Sequence, residues 1–268
     1  MEKKIGAQLF TIREFTKTPD GVEESLQKIA DIGYTFAQMS AFGPIEADRL
    51  KAIIDKTGVK ITGSHSGYDR FVNHLDDIIA EHKTIGCMMP GIGALPPEAQ
   101  TSVEGVRNFV KEFNVIADKL AAEGMTFTYH NHAFEFIKLD GKYMMDYILE
   151  ESNDNFKLML DVYWLSIAAQ NPAKFIRDHK DKIGAIHFKD LRIEGNTPKM
   201  AEVMEGNLDW EDIIAACEEA NPRYIYVEQD DCGGGITAPR TEQRDTLGRM
   251  RIRMQLHAAL HLRPRRNG

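Results

Sequence analysis

Three cysteines in 268 residues, Cys87, Cys217 and Cys232, stand far apart and in no C-x-x-C pair. So sparse a set excludes a disulfide framework and a thiolate zinc site. No apolar run approaches the ~18 residues needed to span a bilayer. The opening stretch MEKKIGAQLF lacks the long apolar core of a secretory signal. These absences predict a reduced, cytoplasmic protein with no membrane partner. Positive charge is also scarce: 33 Lys and Arg against 41 Asp and Glu leave a formal net charge of −8. That balance argues against a nucleic-acid partner held on a basic face. No strand-like run leads into a G-x-G-x-x-G phosphate loop, which argues against an open doubly wound sheet.

What the sequence does contain is alternation. Short apolar runs over 5–10, 34–39, 59–65, 88–92, 125–132, 157–160, 185–188 and 224–227 read as strands. Amphipathic stretches over 22–31, 47–57, 72–84, 102–123, 142–151, 172–180 and 209–220 read as helices. Asp209 opens the last of these with Asp-Trp-Glu-Asp, negative charge at the positive end of a helix. Gly33, Gly58 and Gly124 follow three of them, where a left-handed terminal residue is wanted. Strand-then-helix alternation means parallel strands joined by crossover helices. Eight such strands without a linker predict an α/β protein of the (β/α)8 TIM barrel class over 4–231.

In such a barrel the active site forms at the carboxyl ends of the strands. Gln8 and Thr11 fall there on the first strand, Gln38 and Ser40 on the second, and His65 on the third. The fifth ends in YHNHAFEF, with His130, His132 and Glu135. The sixth ends with Asp161, the seventh with His187, Lys189 and Asp190, and the eighth with Glu228. A lone strand-end Asp is more often a cap or turn former. Asp161, His187 and Glu228 on three successive strands, beside a stretch with two histidines and a glutamate, are hard to read as caps. Mixed carboxylate and imidazole ligands suit Mn2+, Zn2+, Co2+ or Fe2+. Trp164 sits where an apolar wall against a sugar face would serve. Lys189 and Asp190 have a blander reading as a surface ion pair, and His74, His82 and His179 as solvated helix residues.

The segments IGAQLFTIRE, YHNHAFEF, LDVYW, IHFKD, EGNLDW and YVEQDD resemble the sugar phosphate isomerase/epimerase superfamily of xylose-isomerase-like barrels. The resemblance runs from about residue 4 to Asp231. It implies four ligands, usually Glu, Asp, His and Glu, from consecutive strands, which places Asp161, His187 and Glu228 last. The first ligand position falls on His130, with Glu135 an alternative that reaches back from the loop. The third carboxylate of Glu135 would better balance a dication, so Glu135 is favoured. His132 is then a neighbour of the ligands or a substrate contact. The resemblance also makes the loop 206–210 a cover over the substrate.

The function implied is a divalent-metal-dependent sugar isomerase or epimerase of carbohydrate metabolism, with Mn2+ the first expectation and Mg2+ also allowed. A proton would move between carbons of a keto sugar or its derivative through an enediolate, with Glu135 and Glu228 in proton transfer and His65 assisting. Gln8, Gln38, His132, Trp164 and Lys189 would contact a small-molecule sugar substrate. The second reading is a dehydratase or lyase of the inosose dehydratase type; phosphodiester cleavage and sugar binding without turnover stand further off. Residues 232–268 break the pattern. From 240 onward there are eight arginines and no lysine, against seven arginines and eighteen lysines before. That switch predicts a segment foreign to the barrel, disordered or in place of an eighth helix, and a homodimer that covers the exposed face.

Overall fold

The computed structural model of the chain describes residues 5–231. The expectations for 232–268, including Cys232 and the missing eighth helix, lie outside the described residues. Eight strands carry the barrel: β1 Ile5–Gln8, β2 Phe36–Met39, β3 Lys60–Ser66, β4 Pro90–Ile92, β5 Phe127–His130, β6 Phe156–Asp161, β7 Ile183–Phe188 and β8 Tyr224–Val227. Each pairs in parallel with its neighbours, and β1 closes the ring against β8 through Ile5 opposite Ile225 and Ala7 opposite Val227. The structure is a closed (β/α)8 TIM barrel.

The period of two along each strand decides what faces where. On β5 to β8, Phe127, Tyr129, Leu158, Leu160, Ile186, Phe188, Ile225 and Val227 pack outward in one large core. The alternate residues Met159, Ala185, Tyr224 and Tyr226 fill the barrel lumen with Met89. Continuing that inner face toward the carboxyl ends brings in His130, Asp161, His187 and Glu228. Apolar side chains thus plug the lower barrel, and the polar set begins one layer above it.

The helices behave as their sequences require. α1 (Pro19–Ile32) has Pro at its start and Gly33 at φ 111° as its cap; α2 (Ala47–Thr57) ends on Gly58 at φ 74°. At such angles a Cβ would meet its own backbone, so glycine is the residue that fits. The single helix expected over 72–84 is two, α3 (Tyr68–Asn73) and α4 (Leu75–Ile85), broken at His74. α5 (Val103–Ala122) lays Phe109 and Phe113 against Phe71, Phe127 and Tyr129, with ring centroids 5.2–5.8 Å apart. Each such buried ring contributes roughly 1.5–3 kcal/mol by transfer from water. α6 is Met144–Glu151, and α7 (Val162–Ile167) starts directly on the end of β6, a helix the sequence pattern did not reveal. α8 (Pro172–Asp178) and α9 (Trp210–Ala220) complete the described outer layer, α9 with Asp209 accepting from the Asp212 backbone N–H.

A hairpin beyond β7 was also not anticipated. Asp190–Glu194 and Thr197–Ala201 form an antiparallel hairpin that rises from the end of β7.

Candidate metal centre

His130, Asp161, His187 and Glu228 converge at the carboxyl end of the barrel. One ligand atom from each lies within 4.8 Å of all the others, and all four residues are buried. His130 Nε2 stands 3.5 Å from Asp161 Oδ2, and His187 Nδ1 stands 2.8 Å from Glu228 Oε2. The local geometry explains each placement. Asp161 caps α7 with one oxygen only: Oδ1 accepts from the N–H groups of Tyr163 and Trp164 at 2.8 and 3.1 Å. Its Oδ2 is buried with no hydrogen-bond partner among the described residues. Asp161 is therefore both a helix cap and a member of the cluster. Asn131 holds it from behind, Oδ1 accepting the Asp161 backbone N–H at 2.8 Å.

His130 is oriented by its far side. Nδ1 lies 3.2 Å from the Gly93 carbonyl and carries a proton there, while Nε2 is buried, faces Asp161 Oδ2 at 3.5 Å and makes no hydrogen bond among the described residues. Buried polar atoms without hydrogen bonds are costly, and a cation between His130 Nε2 and Asp161 Oδ2 would satisfy both. Imidazole nitrogens and carboxylate oxygens held in place by outer hydrogen bonds, such as those from Gly93 and Asn131, are what a divalent transition metal takes. The residues present fit the ion.

Charge around the centre is balanced tightly. Lys189, expected to touch substrate or pair on the surface with Asp190, is only 1% exposed. Its Nζ meets Asp230 Oδ2 at 2.5 Å and lies 3.8 Å from Asp161 Oδ2 and 3.9 Å from Glu228 Oε2. The surface-pair reading is wrong because Asp190 turns the other way. Asp190 accepts from Trp210 Nε1 at 2.6 Å and from the Gly206 N–H at 3.0 Å, tying the loop 206–210 to the hairpin base. Burial would raise the Glu228 carboxyl, but Lys189 and His187 outweigh it and hold the group well below its usual range. Burial opposes Asp161 in the same way, and Lys189 with His130 again wins. Burial would lower the Lys189 ammonium, yet Glu228, Asp161 and Asp230 hold it above its ordinary value.

Glu135 is corrected. It does not belong to the cluster. Its Oε1 accepts from Tyr129 Oη at 2.6 Å and its Oε2 from the His132 N–H at 2.8 Å. Tyr129 faces the outer core, so the carboxylate is drawn away from the lumen. Burial pushes Glu135 up to about 7, with the Tyr129 bond pulling against it. It braces the turn that carries His132, and with both oxygens so engaged it stands outside the metal cluster. Gln38, expected on the substrate side, is fully buried and its amide is spent on His65, His187 and Met159. Gln8 is also buried; its Oε1 accepts from the Phe10 N–H, and its Nε2 has no partner among the described residues.

Around the cluster stands an aromatic and imidazole rim. His132 stacks on Phe134 at 5.5 Å and leans on Trp164 at 5.2 Å, and its buried Nδ1 has no partner among the described residues. Trp164 also lies under the Lys189 ammonium, 5.0 Å from the ring centre. His65 packs 5.3 Å from His130 and 5.9 Å from His187. His82, read as solvated, is buried under β3, with Nε2 2.6 Å from Ser64 Oγ and Nδ1 2.7 Å from the Ile78 carbonyl.

The family model described as "Xylose isomerase-like TIM barrel" matches residues 26–252. The chain belongs to that family. The match runs on past Asp231 into the arginine-rich stretch. Among curated family relatives, the 3-dehydro-D-guloside 4-epimerase of Escherichia coli is 23% identical over 197 residues, 64% of this chain and 75% of the relative. A sugar phosphate isomerase/epimerase from Parabacteroides distasonis superposes with a TM-score of 0.76 at 20% identity, covering 95% of this chain and 94% of its own. A probable 3-DHS dehydratase from Bacillus anthracis superposes at 0.70 with 12% identity, covering 94% and 98%. At these identities the superpositions show the xylose isomerase-like fold alone. No helix among the described residues is long and apolar enough to cross a membrane.

Proposed function

We propose that this xylose isomerase-like barrel is a divalent-metal-dependent isomerase or epimerase of a keto sugar or keto-sugar derivative. The carrying observation is the buried cluster of His130, Asp161, His187 and Glu228, in which His130 Nε2 and Asp161 Oδ2 have no hydrogen-bond partner among the described residues. These four residues would hold the ion, which when bound supplies a Lewis acid for a carbonyl oxygen and offsets the negative charge that develops on it. The chain supplies the rest. His132, half-buried between Phe134 and Trp164 and without a partner at Nδ1 among the described residues, would take a proton from the carbon beside the carbonyl and return it. Return to the other face gives an epimer; return to the neighbouring carbon gives an isomer. Trp164 offers a flat apolar surface to a sugar ring. Lys189 lowers the proton affinity of Asp161 and Glu228, which makes both carboxylates weak acceptors for the migrating proton. Its ammonium is already matched by carboxylates, which favours an uncharged substrate over a phosphorylated one.

The second reading, loss of water as in a dehydratase, is favoured by His130. A neutral imidazole there leaves two carboxylates rather than three to neutralise a dication, and more positive charge remains for a departing hydroxide. Metal analysis of the purified protein, then incubation with a panel of keto sugars in D2O, tests both. Deuterium at the carbon beside the carbonyl with an epimer or isomer as product supports the first reading. An unsaturated product supports the second. Neither, with metal bound and the panel intact, contradicts the proposal.

A further inference from the structure

Alternation along β7 does not stop where the strand ends. His187 faces the cluster and Phe188 the outer core, its ring 4.9 Å from that of Trp210. Lys189 turns inward again, with Nζ 3.8 Å from Asp161 Oδ2, and Asp190 turns outward to accept from Trp210 Nε1. The next inward positions are therefore Leu191 and Ile193, on the rising strand of the hairpin. Across the ladder Leu191 stands opposite Met200 and Ile193 opposite Pro198, so these four share one face. The other face carries Arg192 opposite Lys199 and Glu194 opposite Thr197. The hairpin is thus apolar toward the barrel axis and polar away from it. Its rising strand runs beside α7, the helix that carries Trp164.

None of the four packs into a hydrophobic core among the described residues, and Ile193 keeps 52% of its surface exposed. Single exposed apolar residues are ordinary, but four in register on one face of a projecting hairpin make a contact surface. Its edges are closed to another strand. Asn207 occupies one, with Oδ1 accepting the Ile193 N–H and its own N–H donating to the Leu191 carbonyl. Pro198, opposite Ile193 and so turned away from the ladder, leaves the other without an N–H. A peptide that adds to a sheet edge is thereby disfavoured. What the face does adjoin is the inward side of the strand that supplies His187. We infer that it is the outer part of the substrate site: the keto sugar enters as a derivative bearing an apolar substituent, as in an alkyl or aryl glycoside, and that substituent lies on Ile193 and Pro198 above Leu191 and Met200. The sugar half of this inference rests on the isomerase or epimerase reading above; the apolar subsite rests on the hairpin alone. A free sugar, hydroxylated on every other carbon, gains nothing from such a wall.

The test is calorimetric titration of the full-length protein, in excess zinc, with methyl, butyl, hexyl and octyl β-D-glucopyranosides below their micelle concentrations. In the parent, affinity should rise about fourfold for each methylene the face covers, the equivalent of ~0.8 kcal/mol apiece. Ile193→Ser, at an exposed hairpin position, should flatten the dependence on chain length. Val115→Ser removes an equally exposed valine from α5 and should leave the dependence as in the parent. Binding indifferent to chain length in the parent overturns the inference, as does no binding by any member of the series. The same dependence in Ile193→Ser also overturns it. So does a concentration-dependent dimer that Ile193→Ser dissolves, since a second copy would then occupy the face. Chain-length-dependent binding with no deuterium entering any keto sugar or its glycosides would defeat the isomerase or epimerase reading and leave the subsite standing. Deuterium incorporation with binding indifferent to chain length would do the reverse.

Discussion

Single residues at this site do more than one job, and their two jobs separate under substitution. Asp161 caps α7 with Oδ1 and presents Oδ2 to the cluster, so Asn can keep the first and lose the charge of the second. Glu135 is the opposite case, a carboxylate that looks functional in the sequence and is used for bracing. Glu135→Gln should lower stability by about 1–3 kcal/mol, since one of its two buried donors then loses a proper acceptor. Bound metal should stay at the parental level; its loss would show that Glu135 supports the centre after all. Lys189 gives a sharper contrast. With no cation present, Lys189→Met leaves Asp161, Glu228 and Asp230 without their counter-charge, a change of the kind that costs about 3–5 kcal/mol when one partner of a buried ion pair is removed. Thermal melts in chelator should show a large loss, and saturating zinc should recover most of it. A loss that zinc leaves untouched would mean Lys189 is not part of this charge balance.

At the scale of elements, the strand-and-helix alternation was legible because it rests on local patterns: a period of two on strands, and a glycine after α1 and α2. The elements that were missed depend on contacts far apart in sequence. α7 starts without a turn because Asp161 caps it in place, and nothing in LDVYW announces that. The hairpin from Asp190 to Ala201 is held by Asp190 reaching Gly206 and Trp210, a bond network invisible to periodicity. The three strand-end residues Asp161, His187 and Glu228 were legible because the barrel dictates where strand ends meet. The choice between His130 and Glu135 was not, since it turns on Tyr129 facing outward and pulling Glu135 with it. His82 on α4 belongs to the same lesson. Burial lowers its pKa, the backbone bond to Ile78 opposing, so the folded state holds it neutral. A histidine depressed by folding contributes stability that is present above its unfolded pKa of ~6.5 and lost as pH falls through the folded value. Between pH 7 and pH 5 the parent should therefore lose more in melting temperature than His82→Gln does. Equal losses would place His82 in contact with water.

For the whole molecule, the barrel works as a support that is apolar below and polar above. Met89, Met159 and Tyr226 close the lumen beneath the cluster, and His132, Trp164 and His65 stand beside its four residues. The family relation supplies the company this chain keeps, but the reaction rests on the centre itself. Everything proposed for catalysis requires that His130, Asp161, His187 and Glu228 hold a single divalent ion. The direct measurement is calorimetric titration of the chelator-stripped protein with Mn2+ and Zn2+, alongside Asp161→Asn and Glu228→Gln of matched folded content. The account predicts one tight site per chain in the parent and its loss in both variants. A parent that binds neither ion, or variants that bind as the parent does, would contradict it.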